Sequence, residues 1–417
     1  MAVFPSFPWL APRERQAWCR TALSKDMSLQ GAVEEVSRQL VGAKTADLAL
    51  VFASTSYASD LPRLLPLLRQ KLHAGIWLGC AGGGVVGTQT SGAPRELERE
   101  PALSVTLLGL PGAVLHPFSF DTTELPDLDG PAEPWRELVG APLAKGQSML
   151  VMIDPSGSGV NDLISGLDYA YPGCDKVGGI AGHHSGGHGS LLLGDEVRRG
   201  VVGCMIGGAW HMDSVVAQGC RPIGPVLEVQ QAKRNVLIEV SSGDQRRSPV
   251  AALQAILTDL TPSEREQVKN SLFIGVGRSD FSFPNNKPSQ SAFLIRNLMG
   301  VDPSNGAVAV GDRMRVGQRV QFQLRDAAAS REESRQLLSR QAEAQAEPLT
   351  ALLFACLGRG EGLYGETDGD VRLCRESFSR VPIAGVFCNG ELGPVGGTTH
   401  LHGYTASWAF LVPSQEA

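Results

Sequence analysis

Two short stretches combine residue types that could hold a small polar ligand. In "VPIAGVFCNGELGP" (381–394) an apolar run stops abruptly at Cys388-Asn389-Gly390-Glu391. Asn389-Gly390 is a strong turn dipeptide, because both residues tolerate positive φ; a plain hairpin turn here would leave Glu391 in water. In "CLGRGEG", Arg359 closes a second apolar run in the same third of the chain. An Arg and a Glu at adjacent strand ends could bind the carboxylate and ammonium of an amino acid, with Asn389 and Gly390 lining the cleft. The same two charges could equally pair with each other.

A third stretch, "GCAGGGVVG", offers Gly79, Cys80 and Gly82 at a strand end, where bare backbone N–H groups could cradle an anion. It lacks the Lys-Ser/Thr ending of a Walker loop and is not a dinucleotide fingerprint. Cys80 on a sharp turn could act as a nucleophile only with a base and an orienting group, and no pairing with a histidine is legible. It is therefore expected to be structural or to line the ligand. "GHHSGGHG" supplies His183, His184 and His188, and "HLH" places His400 and His402 on one strand face. Adjacent histidines on a strand point to opposite faces, so His183 and His184 do not chelate together. His183 and His184 are expected to line the site, without a metal, a cofactor or a catalytic residue. Asp154 and Ser158 in "DPSGSGVNDL" read as a strand-to-helix loop, and Arg278 in "GVGRSD" stands at a similar strand end.

The elements that must position these groups follow one grammar. Three segments each run through an apolar strand, a helix, a glycine-punctuated strand and a further strand. The first runs from "LALVFAS" to "ALSVTLLGLPG" (48–112) and the second from "SMLVMIDPSGSG" to "GVVGCMIGG" (148–208); the third runs from "TALLFACLGRGEGLYG" to "ASWAFLVP" (350–413). Between the second and third lie strands "RNVLIEV" and "SLFIGVG", and "LTPSEREQ" carries a capping-box start with Thr261, Pro262 and Glu264. Alternation at Val316, Val320, Phe322 and Leu324 predicts a half-buried antiparallel hairpin over 306–326. The following segment of mixed charge predicts a surface helix. The expected architecture is mixed α/β (α+β) in two modules of repeated strand–helix–strand–strand units. An N-terminal arm over 1–45 precedes modules over 46–225 and 226–417.

Composition bounds the function. The 417 residues are 42% hydrophobic and 19% charged, the balance of a soluble globular protein with more than one core. A formal charge of −6 provides no cationic footprint for nucleic acid and disfavours adsorption on anionic lipid. No apolar run approaches the roughly 20 residues of a membrane span. The start, "MAVFPSFPWLAPRERQ", lacks a basic n-region and carries three prolines, so it is not a secretory signal; the expected location is cytoplasmic. Eight cysteines without a C-x-x-C pair read as reduced, mostly buried thiols.

The motifs resemble those of FIST domain proteins, which join an N-terminal and a C-terminal module. "FLIRNLMGVDPSNGAVAVGDRMRVGQRVQFQLRDA", "LLFACLGRG" and "VPIAGVFCNGELGP" resemble the C-terminal module. "WLGCAGGGVVG" and "VGGIAGHHSGG" resemble the glycine-rich strand ends of the N-terminal one. The resemblance covers roughly residues 45–413. It implies a sensory role: binding of a small ligand, such as an amino acid or related metabolite, and signalling to a partner protein. Without a kinase motif, receptor coiled coil or F-box-like leader, the expectation is a stand-alone form, with homo-oligomerisation left open. The readings from other classes are a cysteine- or histidine-dependent hydrolase or transferase, and an interaction scaffold.

Overall fold

Each of the three apolar strands that open a segment pairs in parallel with the glycine-rich strand following it, and a helix makes the crossover that parallel pairing requires. In the computed structural model, which describes residues 16–278, 293–344 and 347–414, these pairs are Ala46–Ser54 with Ala74–Gly82, Ser148–Ile153 with Asp175–Ile180, and Thr350–Cys356 with Ile383–Cys388. The crossover helices include Leu61–Arg69, Val160–Ala170 and Gly369–Ser377. A closing strand lies antiparallel on the other side of each opening strand: Leu103–Gly109, Val201–Gly208 and Ala406–Pro413. A leading strand pairs outside each of these, Trp18–Ser24, Ala113–Phe120 and Trp210–Ala217. Of the arm expected over 1–45, residues 1–15 lie outside the described residues; the rest supplies the first leading strand and the helix Leu29–Gln39.

What completes each six-stranded sheet is a hairpin from a different unit. The hairpin Gly84–Thr88/Pro94–Glu98 of the first unit pairs with Ile383–Cys388 of the third. The third unit's hairpin, Glu391–Val395/Thr398–His402, pairs with Asp175–Ile180 of the second. The second unit's hairpin, Leu191–Leu193/Glu196–Arg198, pairs with Ala74–Gly82 of the first. The exchange is cyclic and interlocks the units.

One glycine per unit makes the parallel pairing possible. A Cβ on Gly79, Gly178 or Gly385 would lie 1.8, 1.7 or 1.9 Å from the carbonyl oxygen of Val51, Val151 or Leu353 on the neighbouring strand. No side chain fits there. The inner faces of the sheets share one core, in which Phe52, Leu78, Leu150, Met152, Phe354 and Val386 meet. The outer faces bury the helices, with Leu64 and Leu68, Leu163 and Leu167, and Val371 and Cys374 each facing their own sheet. Strands covered on both sides read as continuous apolar runs, which is how the sequence presents them.

Between Trp210–Ala217 and Thr350–Cys356 the chain forms an antiparallel barrel. Its strands Leu227–Lys233, Val236–Ser242, Val308–Val310, Phe293–Val301, Leu272–Gly277 and Arg319–Arg325 close on one another, the last pairing with both Leu272–Gly277 and Leu227–Lys233. Val320, Phe322 and Leu324 fill it, as their alternation predicts, whereas Val316 is exposed. The hairpin expected over 306–326 is corrected: Val308–Val310 and Arg319–Arg325 do not pair. Barrel closure gives both edges of each strand to other partners. The helix Pro262–Ser271 begins with the full capping box of Thr261 and Glu264.

Candidate functional site

Where the barrel meets the three-sheet body there is a cleft of about 850 Å³, within the size range of ligand sites. The body contributes the helix Val160–Ala170, the strand Thr398–His402 and the Asn389-Gly390 link; the barrel contributes the ends of Leu272–Gly277 and Phe293–Val301 and the loop 311–318. Thr398–His402 is the outer strand of its sheet, and its exposed backbone edge is covered at two points. Asp168 accepts from the Thr399 N–H at 2.8 Å and its Oγ1–H at 2.7 Å, and is itself held by buried Lys176 at 2.9 Å. From the barrel, Arg296 donates to the Leu401 carbonyl at 3.3 Å while its Nε pairs with Asp312 at 2.7 Å. Arg296 thus bridges the two walls.

His400 and His402 both face this region, their rings 6.0 Å apart. Fully buried His402 donates from Nε2 to the Gly393 carbonyl at 3.0 Å, and burial pushes its pKa down to about 3. His400 is pushed down to about 4 by burial, and then by the charges of Arg296 and Arg278. Both rings are therefore neutral at neutral pH. Among the described residues, Nε2 of His400 has no hydrogen-bond partner.

Asn389 and Gly390 line the cleft, but not as a hairpin turn. The strands on either side of them belong to different sheets, and neither residue has positive φ. The Asn389 side chain donates to the Ala181 carbonyl at 3.0 Å, and the Gly390 carbonyl accepts from the Ile180 N–H at 2.8 Å. Both contacts fix the point where the chain crosses from one sheet to the next.

Arg359 and Glu391 lie behind that wall, both completely buried, and do not meet. Arg359 forks onto both oxygens of Asp370 (2.8 and 2.6 Å) and also donates to the Tyr364 hydroxyl at 2.6 Å and Ser330 Oγ at 3.0 Å. Glu391 accepts from the Thr405 N–H at 3.2 Å and Oγ1–H at 2.7 Å, and its other oxygen has no partner among the described residues. Burial raises its pKa to about 8, which favours the protonated form over the carboxylate that a ligand ammonium needs. An anionic Glu391 poised for a ligand ammonium does not match this geometry.

The glycine-rich stretch of the first unit is a core seam. Leu191 stands in register with Cys80, and burial pushes the Cys80 thiol far above its ordinary range, away from the thiolate a nucleophile needs. Gly79 faces Val51, and a Cβ on Gly82 would strike Val386 at 2.0 Å. The N–H groups here do not cradle an anion: those of Ala81 and Gly83 donate to the carbonyls of Ser190 and Phe387. His183 is exposed and His184 half-buried, and neither lines the cleft. His184 receives the Gly186 N–H on Nδ1 at 3.0 Å, while His188 bridges the carbonyls of Gly189 and Ala58 at 2.8 Å each. The histidines brace their own loop, and the described residues hold no group of three or more ligands placed for a metal. Asp154 ties down the same loop by accepting from the Ser190 N–H at 2.7 Å.

Arg278, singled out by its strand end, does line the cleft, with Nη2 donating to the Gly396 carbonyl at 3.1 Å. Arg296, Asp312, Arg313 and Arg315 are not singled out by the sequence reading; the charge density of "GDRMRVGQR" marks the last three, and Arg296 has no such local signal.

Two family models match the chain, the FIST N domain over residues 47–242 and the FIST C domain over 252–394. The chain belongs to the FIST family, whose domains are associated with sensory signal transduction. It is 34% identical over 393 residues to an uncharacterized protein of Mycobacterium tuberculosis, covering 90% of this chain and 94% of the relative. An uncharacterized protein of Mycobacterium bovis is 30% identical over 415 residues, covering 95% and 98%. Among the described residues no helix is long and apolar enough to cross a membrane.

Proposed function

We propose that the chain is a cytoplasmic receptor that binds a small polar metabolite reversibly in the cleft and passes its occupancy to a partner protein. The observation that carries the reading is the cleft itself, a polar-walled concavity between two separately closed parts of the fold. A ligand bridging those walls would bias their relative position, which is the form a two-state sensor needs. The turn 403–405 offers the route inward. Tyr404, at φ 65°, lines the cleft and packs its ring 4.6 Å from Phe273 of the barrel; its carbonyl accepts from buried Arg359 at 3.4 Å.

The test is a thermal-shift screen of polar metabolites on the wild type and on Thr398→Trp, which fills the cleft from an exposed position. A ligand at about 100 times its Kd adds about 2.7 kcal/mol of stability. A stabilising compound should emerge whose effect vanishes in Thr398→Trp. A compound that stabilises both proteins equally places the site elsewhere.

A further inference from the structure

We infer that the cleft takes an organic anion bearing two or more carboxylate or phosphate groups, clasped by Arg313 and Arg315 opposite His400. The inference rests on the cleft being the ligand site and names the chemistry that site selects.

The lining is cationic in a chain of formal charge −6: four arginines, Arg278, Arg296, Arg313 and Arg315, stand against Asp162 and Asp312. Asp312 and Arg296 pair with each other, which removes one charge of each sign and leaves three arginines. That leaves Asp162 in the first turn of the body helix, so the positive field is concentrated on the barrel side. Among the described residues the guanidinium groups of Arg313 and Arg315 have no acidic partner.

Their loop is built rather than loose. Met314, between them, is buried in the barrel core and its N–H donates to the Arg234 carbonyl at 2.8 Å. The Arg313 N–H is held by Asp312 at 2.7 Å and that of Arg315 by Gln318 at 3.2 Å. With Met314 anchored inward, its two neighbours are exposed together. Two planar guanidinium groups one residue apart on a fixed loop suit bidentate contact with carboxylate or phosphate oxygens.

Across the cleft, His400 adds a neutral ring nitrogen that can exchange a hydrogen bond with the ligand without adding charge. A zwitterion would set its ammonium against the same arginines. A second anionic group instead meets a second cation.

Isothermal titration with citrate, inorganic phosphate and zwitterionic alanine distinguishes the cases. The proteins are the wild type, Thr398→Trp, the double variant Arg313→Ala/Arg315→Ala, and Arg63→Ala as an exposed arginine outside the cleft. The expected result is citrate binding to the wild type and Arg63→Ala, tighter than that of single-group inorganic phosphate, about 100-fold weaker in the double variant, and weakened by added salt. Alanine should bind far more weakly. If alanine binds, Thr398→Trp abolishes it and the double variant does not, the cleft remains the site and the anionic class is overturned. Anion binding that the double variant leaves unchanged overturns the clasp, and if Thr398→Trp also leaves it unchanged the cleft reading falls with it. Failure of citrate to bind the wild type, or phosphate binding as tightly as citrate, overturns the class.

Discussion

Two sets of arginines lie on opposite sides of the turn 403–405, and the fold treats them oppositely. Behind it, Arg359 is wholly buried and its guanidinium is spent on Asp370, Tyr364 and Ser330. In front, Arg313 and Arg315 stand exposed at the cleft without an acidic partner among the described residues. A buried cation must be paired, because its desolvation is otherwise uncompensated, whereas an exposed one is already satisfied by water. The charges that hold the fold together are therefore unavailable to a ligand. The charges available to a ligand contribute little to the fold.

The largest effect expected from this contrast is on stability. Arg359→Ala leaves Asp370 buried and unpaired and should cost about 3–5 kcal/mol in urea unfolding. Replacing both partners, Arg359→Met with Asp370→Leu, should recover much of the loss. A loss below about 1 kcal/mol for Arg359→Ala would remove the distinction between the two sets.

The next effect is on pH dependence, from Glu391 behind the turn and from Glu96, buried on the strand Pro94–Glu98 with its carboxyl accepting from the Val371 N–H at 2.7 Å. Burial raises both Glu391 and Glu96 from 4.5 to about 8, so each holds a proton in the folded state that it has lost in the unfolded one. Folding then takes up protons, and stability falls as pH rises between about 4.5 and about 8. His400 and His402 act with the opposite sign, because their lowered values make stability fall as pH drops below about 6.5. From about pH 6.5 to 8 the two histidines no longer oppose the glutamates, which contribute roughly 1 kcal/mol per pH unit each. Glu391→Gln should flatten that slope in unfolding curves measured across the window. An unchanged slope would mean that Glu391 ionises normally in the fold.

The smallest effect is the counterpart in front. Arg313→Ala and Arg315→Ala should each leave unfolding free energy within about 0.5 kcal/mol of the wild type. A loss of several kcal/mol would make them structural, like Arg359.

The same contrast explains what could be read from the sequence. "CLGRGEG" and "VPIAGVFCNGELGP" stood out because tight packing constrains them, and the structure uses Arg359 and Glu391 internally. Local signals were reliable where the physics is local. The capping box at Thr261 formed, and the alternation of Val320, Phe322 and Leu324 marked a barrel wall. Gly79, Gly178 and Gly385 were visible as punctuation, while the reason for them, a neighbouring carbonyl, belongs to another strand. The exchange of hairpins was not legible, since Val86 pairs with Gly385 about 300 residues away and no local pattern encodes that. The cleft arginines were hidden for a further reason. Exposed charge in a loop carries no periodicity, and only barrel closure brings 311–318 opposite Thr398–His402.

Amide hydrogen exchange with and without a stabilising ligand tests most directly whether the two parts of the fold share one site. Exchange should slow in 311–318 of the barrel and 398–403 of the body together, with no change around 183–189. Protection confined to 183–189 or to the glycine-rich seam at 79–84, with the cleft walls unaffected, would contradict it.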